Sequence, residues 1–194
     1  MIKTKISNAA NVQTLMNSIF IKFADLATAL LTELLRTPVK VRVSTVKTIA
    51  YKQYSRAISS PSTFALINME PLQCNAVLET DLRVSFSMIS RLCGHIKETC
   101  MDMHEPTEIE TSLLEGIIVS LLRKMREAWG RIADIKPALS HIETNAVFSQ
   151  IARPKDKVIM SKMEIEIDRD TGKMNFAFRI VLLRRFWTGF LENT

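Results

Sequence analysis

Thiols and imidazoles, the side chains best suited to hold a soft metal ion or to run redox chemistry, concentrate in one stretch of this sequence. RLCGHIKETCMDMHEP, from Arg91 to Pro106, holds two of the three cysteines and two of the three histidines. Glu98, Asp102 and Glu105 add carboxylates among them. The spacing is Cys93-x-His95-x4-Cys100-x3-His104. A structural zinc site presents a tight cysteine pair and a matching second pair, so that four ligands close a tetrahedron. This stretch has neither. It reads as an exposed, methionine-dotted loop between two helices, with no metal and no cofactor.

Other chemistry is equally sparse. No G-x-x-x-x-G-K, G-x-G-x-x-G, G-x-S-x-G or H-E-x-x-H occurs, so the common phosphate-cradling, hydrolase and zinc-protease signatures are absent. His141 precedes Ile142-Glu143 in a predicted strand. No nucleophile stands beside it, so it reads as a histidine with a local hydrogen bond. Cys74 reads as an incidental thiol in a turn.

The elements that position these residues follow from hydrophobic periodicity. Val12, Leu15, Met16, Ile19, Phe20, Phe23, Ala27, Leu30, Leu31 and Leu34 recur at helical spacing, and Thr37-Pro38 ends that long helix. Val39 to Val43 alternates as a strand. A polar stretch with Ser59-Ser60-Pro61-Ser62 follows. Two short apolar runs, near Thr63 to Met69 and Ala76 to Leu78, read as paired strands joined through Glu70-Pro71. Leu82 to Leu92 is a predicted helix that runs into the Cys/His stretch. Thr107-Glu108-Ile109-Glu110 is a capping box, in which hydroxyl and carboxylate each accept from the other residue's amide. The helix it opens runs to about Trp129 and shows little polar face, which predicts burial on most sides. Arg123, Lys124 and Arg126 lie near its end, where the helix dipole favours cations. Met163 to Asp168 and Met174 to Ile180 alternate about a turn placed at Arg169-Asp170-Thr171-Gly172, a hairpin with one wet face.

The order repeats: long helix, strand, a loop with Ile58-Ser59-Ser60-Pro61, two strands, helix; then long helix, extended segment, a loop with Ile151-Ala152-Arg153-Pro154, two strands. An internal duplication about a pseudo-twofold axis is expected, with a central sheet covered by helices.

The whole chain sets bounds on function. It has 194 residues, 47% hydrophobic and 24% charged, with a formal net charge of +6. That is one soluble domain with a sizeable core. The basic residues are spread out and form no block interleaved with aromatics, so no nucleic-acid partner is expected. The odd cysteine count and the absence of a secretory signal point to a cytoplasmic protein with reduced thiols. The apolar stretch Ile19 to Leu35 is interrupted by Lys22, Asp25 and Glu33, too often for a membrane span.

A resemblance emerges from the residues in order. Ser60-Pro61-Ser62, Met69-Glu70-Pro71-Leu72, Asp81-Leu82 with Val84 and Phe86, Ile89 to Gly94, and Glu105 to Glu110 come first. Glu127-Ala128-Trp129, Glu143-Thr144-Asn145 with Phe148, Ile151 and Pro154, and Gly172-Lys173-Met174 follow. Together they resemble the middle domain of the FliM family of flagellar motor switch proteins, from about Val12 to about Arg185. The resemblance implies a lead-in over 1–11, the middle domain over 12–185, and over 186–194 the start of a linker to a C-terminal domain. It implies a CheC-like fold, a three-layer α/β/α sandwich of the α+β kind, and a non-enzymatic subunit of the rotor-mounted switch (the C ring), at the cytoplasmic face of the inner membrane in the basal body. Implied partners are FliG, neighbouring copies of the family, FliN through the C-terminal domain, and phosphorylated CheY, which biases the direction of rotation.

The family's Gly-Gly-x-Gly loop, which contacts FliG, falls on Gly94-His95-Ile96-Lys97, where the first glycine alone is kept. With Arg91 at its foot, the implied docking residues are Arg91, Gly94, His95, Ile96 and Lys97. Nothing before Val12 resembles the family's CheY-capturing peptide. The FliN-pairing domain is also missing; Arg184-Arg185-Phe186-Trp187 would lie near its start, which reads as an excised middle domain or a shortened relative. Two alternatives stand beside this reading. A CheC-type phosphatase needs a glutamate and an asparagine three residues apart on one helix face. Ser112 to Ile118 keeps Ser112 and Glu115, but Ile118 occupies the asparagine position. A secretion or chemotaxis adaptor of the same fold would lack a flagellar partner.

Overall fold

The computed structural model describes residues 9–58, 60–95, 104–130, 132–147 and 149–179. Helix α1 spans Ala9–Leu35. Met16, Ile19, Phe20, Phe23, Ala27, Leu31 and Leu35 form its buried stripe. Arg36 takes a left-handed backbone (φ 51) just past the helix end, and Pro38 follows. Strand β1 (Val39–Ala50), helix α2 (Tyr51–Ala57), strands β2 (Ser62–Glu70) and β3 (Cys74–Asp81), and helix α3 (Leu82–Leu92) complete the first half. Helix α4 (Glu108–Trp129) and strands β4 (Lys136–Glu143), β5 (Lys157–Ile167) and β6 (Asp170–Arg179) form the second.

The six strands make one sheet in the order β1-β5-β6-β3-β2-β4, antiparallel throughout. Exchange β1, β2, β3 with β4, β5, β6, read the order backwards, and it is unchanged. The expected pseudo-twofold axis therefore exists and passes between β3 and β6. The irregularities obey it too: the β1 ladder slips between Val43 and Thr45, leaving Ser44 out, and the β4 ladder skips Ser140. Each edge strand carries a one-residue bulge at a serine.

Helices α1, α3 and α4 cover one face. Their core gathers Phe20, Phe23, Trp129, Phe176 and Phe178, all at most 1% exposed. Full burial of such a side chain is worth about 2–3 kcal/mol. Lys22 of α1 donates to the Glu127 carbonyl at 3.0 Å, satisfying one of the last carbonyls of α4. The opposite face carries a smaller core of Tyr51, Tyr54, Phe64, Val77, Ile151, Val158, Met160 and Ala177. Here α2 is stitched to the segment after β4: the Tyr51 and Lys52 amides donate to the Asp156 and Pro154 carbonyls. Glu79 lies inside this layer, accepting from Asn175 Nδ2 at 3.1 Å and facing the Tyr54 hydroxyl. Burial, then the Glu79 charge, pushes the Tyr54 phenol well above the usual tyrosine range.

Four sequence expectations are corrected. The mostly buried helix is α3, where only Arg83 is fully exposed; α4 buries a single stripe, and Ile109 and Val119 face out. The β5–β6 turn is Asp168-Arg169, because Ile167 pairs with Asp170 and Asp168 holds φ 54. Gly172 stands within β6. Cys74 opens β3 rather than a turn, and burial raises its thiol to about 11. Helix α2, with Tyr51 and Tyr54 as its two buried residues, interrupts the stretch read as polar loop.

Candidate partner-docking site

Helix α3 positions the glycine of the candidate site. Its backbone ends in a Schellman motif: the Gly94 amide donates to the Arg91 carbonyl at 3.0 Å and the His95 amide to Ser90 at 3.0 Å. Gly94 sits at φ +85, a conformation that a residue with a Cβ adopts with strain. Gly94 thus has a local duty, closing α3, in addition to any docking role. Its surroundings are open, with nothing within 4 Å of where a Cβ would stand. Cys93, Gly94 and His95 are exposed.

Arg91 behaves differently. Its side chain is 9% exposed. The guanidinium donates to Asp168 Oδ2 at 3.1 Å and to the His95 carbonyl at 3.4 Å. One turn earlier on the same helix face, Ser87 donates to Asp170 Oδ2 at 2.8 Å. The Asp168 amide reaches the Pro38 carbonyl at 2.9 Å. The end of α3, the β5–β6 turn and the α1–β1 corner therefore meet at one place.

The far end of the α3–α4 link also returns to α3. His104 packs its ring on Phe86 with centroids 4.7 Å apart, and its Nδ1 meets the Glu105 carbonyl at 2.9 Å. Its Nε2 lies 3.8 Å from Glu110. The capping box is formed, with Thr107 N to Glu110 Oε2 at 2.8 Å and Glu110 N to Thr107 Oγ1 at 3.3 Å. The Thr107 amide is the first cause that holds the Glu110 carboxyl below the usual range.

Of the residues expected to dock a partner, Arg91, Gly94 and His95 come together here. Ile96 and Lys97 lie outside the described residues, as does Cys100 of the Cys/His stretch. Among the described residues no three His, Cys, Asp or Glu side chains converge on a metal-sized site. His141 makes local contacts, to Ser140 Oγ at 3.1 Å and Glu143 at 3.6 Å. On α4, Glu115 points outward while Ile118 is 5% exposed in the core, so the helix presents no glutamate–amide pair. Sequence reading missed Asp168 and Asp170. They lie 77 and 83 residues from their α3 partners, beyond any local pattern.

The pseudo-twofold six-stranded sheet with its helical layer is the fold of a flagellar switch middle domain. It superposes on the FliM middle domain from H. pylori with a TM-score of 0.82 at 24% identity, covering 92% of this chain and 97% of that one. The chain also matches the H. pylori FliG-FliM complex structure, with a TM-score of 0.82 at 26% identity, over 87% of this chain and 92% of that chain. The family model described as flagellar motor switch protein FliM matches residues 10–187. The flagellar motor switch protein FliM of Treponema pallidum is 39% identical over 83% of this chain. The chain belongs to the FliM family. It spans about half the length of the curated relatives it matches, 47% in the Treponema case. Among the described residues, no helix is long and apolar enough to cross a membrane.

Proposed function

We propose that this chain is the non-enzymatic middle domain of a flagellar motor switch, spanning about residues 12–185, and that it docks FliG through the end of α3. In the assembled motor it packs beside copies of itself at the cytoplasmic face of the inner membrane. It passes the signal of phosphorylated CheY to the direction of rotation. The observation that carries the docking surface is the α3 terminus. It is an exposed, Schellman-capped glycine, at the position where the resemblance places the family's glycine-rich contact loop. The capped helix end fixes the direction in which the chain leaves α3 as far as His95.

The non-enzymatic part rests on Ile118, an apolar and buried side chain where a phosphatase needs a water-orienting amide. The test is binding to FliG from the same organism by titration calorimetry. The unaltered chain is expected to bind at micromolar concentration. Gly94→Asp and Lys97→Glu are expected to weaken binding at least tenfold, about 1.4 kcal/mol or more, with circular dichroism unchanged. Absence of binding by the unaltered chain at micromolar concentrations would remove FliG as its partner.

A further inference from the structure

Arg91 links the end of α3 to the β5–β6 turn through an ion pair. A guanidinium that is 9% exposed has lost most of its water, and it is held there by Asp168, itself 43% exposed. The same guanidinium reaches the carbonyl of His95, the residue after the cap glycine. One charged group thus joins a hairpin turn to the backbone of the loop. The turn is not free either. Asp168 has φ 54, its amide is held by the Pro38 carbonyl, and Asp170 is held by Ser87. Two hydrogen bonds, one from the α1–β1 corner and one from α3, therefore hold the turn that presents the Asp168 carboxylate to Arg91.

We propose that Asp168 is a positioning residue for the docking surface. It holds the Arg91 guanidinium, which holds the His95 carbonyl, so that the β5–β6 hairpin and the start of the loop move as one body. This rests on the reading of the α3 end as the FliG contact. A push on the loop is delivered to β5 and β6, the two strands that lie between edge strand β1 and β3. The pair is a mechanical tie more than a source of stability, since its Asp168 side, 43% exposed, keeps access to water and screens the interaction.

Asp168→Asn isolates the tie. Asparagine tolerates the left-handed backbone that the turn requires, and it removes the charge. Amide hydrogen exchange on the whole chain reads the local effect. Exchange at Gly94 and His95 is expected to speed up about tenfold, the order of one lost charge-assisted hydrogen bond. Exchange in β2, β3 and α4 should stay unchanged. Arg91→Met, which keeps the aliphatic stem, should give the same local speed-up, and the double variant no more than either alone. FliG affinity should fall in parallel. Unchanged exchange at Gly94 and His95 in both variants would overturn the tie, and so would a speed-up spread evenly over the whole chain. Failure of the unaltered chain to bind FliG would instead overturn the docking reading, while the exchange data still decide whether Asp168 positions the loop.

Discussion

Gly94, Gly116 and Gly172 are identical in chemistry and differ in what their surroundings permit. Gly94 needs its positive φ, so Gly94→Ala is expected to destabilise the chain by about 1–2 kcal/mol. Gly172 has ordinary backbone, but a Cβ there would stand 2.4 Å from Val84 Cγ2 and 3.1 Å from Asp81 Oδ2. Those neighbours belong to α3 and its start, and Asp81 also accepts from the Lys173 amide at 2.8 Å. Gly172→Ala should therefore cost about 1–3 kcal/mol through overpacking. Gly116 lies in mid-α4 with nothing within 4 Å of a built Cβ. Nothing in the fold requires glycine there, and Gly116→Ala should stabilise by about 1 kcal/mol through helix propensity. Urea denaturation of the three variants checks both sign and rank. A stabilising Gly172→Ala would contradict the close approach of β6 to α3.

At the scale of elements, the start of α4 is a place where a titrating carboxylate reports on a helix. Glu110 accepts from the Thr107 amide and hydroxyl, and its pKa is lower folded than unfolded. A group depressed in this way binds fewer protons in the folded state. Its contribution is present above the unfolded value of about 4.3 and is lost as pH falls through the lower folded value. Glu110→Gln should remove this part of the acid sensitivity between about pH 5 and 3, measured as melting temperature against pH. Asp156 is depressed too, chiefly by the Arg153 amide, so the difference between the two proteins is what isolates Glu110. Thr107→Ala should cost about 1 kcal/mol at neutral pH. This cap was legible in the sequence because its partners are three residues apart. The β5–β6 alternation was legible for the same local reason. Helix α2 was not, because two tyrosines give too short a stripe to show a period. The turn was misplaced because Asp-Thr-Gly has turn chemistry, whereas Gly172 is set by Val84, a contact that no local pattern contains. Arg91 was picked out through the family resemblance, three residues before Gly94, and its partner Asp168 could not be.

The whole molecule is two halves that cannot be separated. Edge strand β1 pairs with β5 of the other half over its length, from Val39 with Ile167 to Ala50 with Lys157, and β4 pairs with β2 of the first half. Neither half keeps its own edge strand, so each alone would expose open strand backbone and half of each core. In the intact chain these edges are guarded. Thr28 and Thr32 of α1 bond the outward backbone groups of Val41 and Val39, and Gln13 bonds the Val46 carbonyl. At the other edge, β4 carries Pro137 and the Ser140 bulge. Both edges thus resist strand addition, which directs association with other chains toward helix and loop surfaces such as the α3 end. The swapped strands make a sharp expectation for a chain divided in the α3–α4 link. Fragments 1–95 and 104–194 should each lack cooperative thermal unfolding, and their mixture should recover it. A single fragment that melts cooperatively as a monomer would show that the halves are independent folding units. The cross-half strand pairs would then be an addition to two stable folds rather than the condition for either.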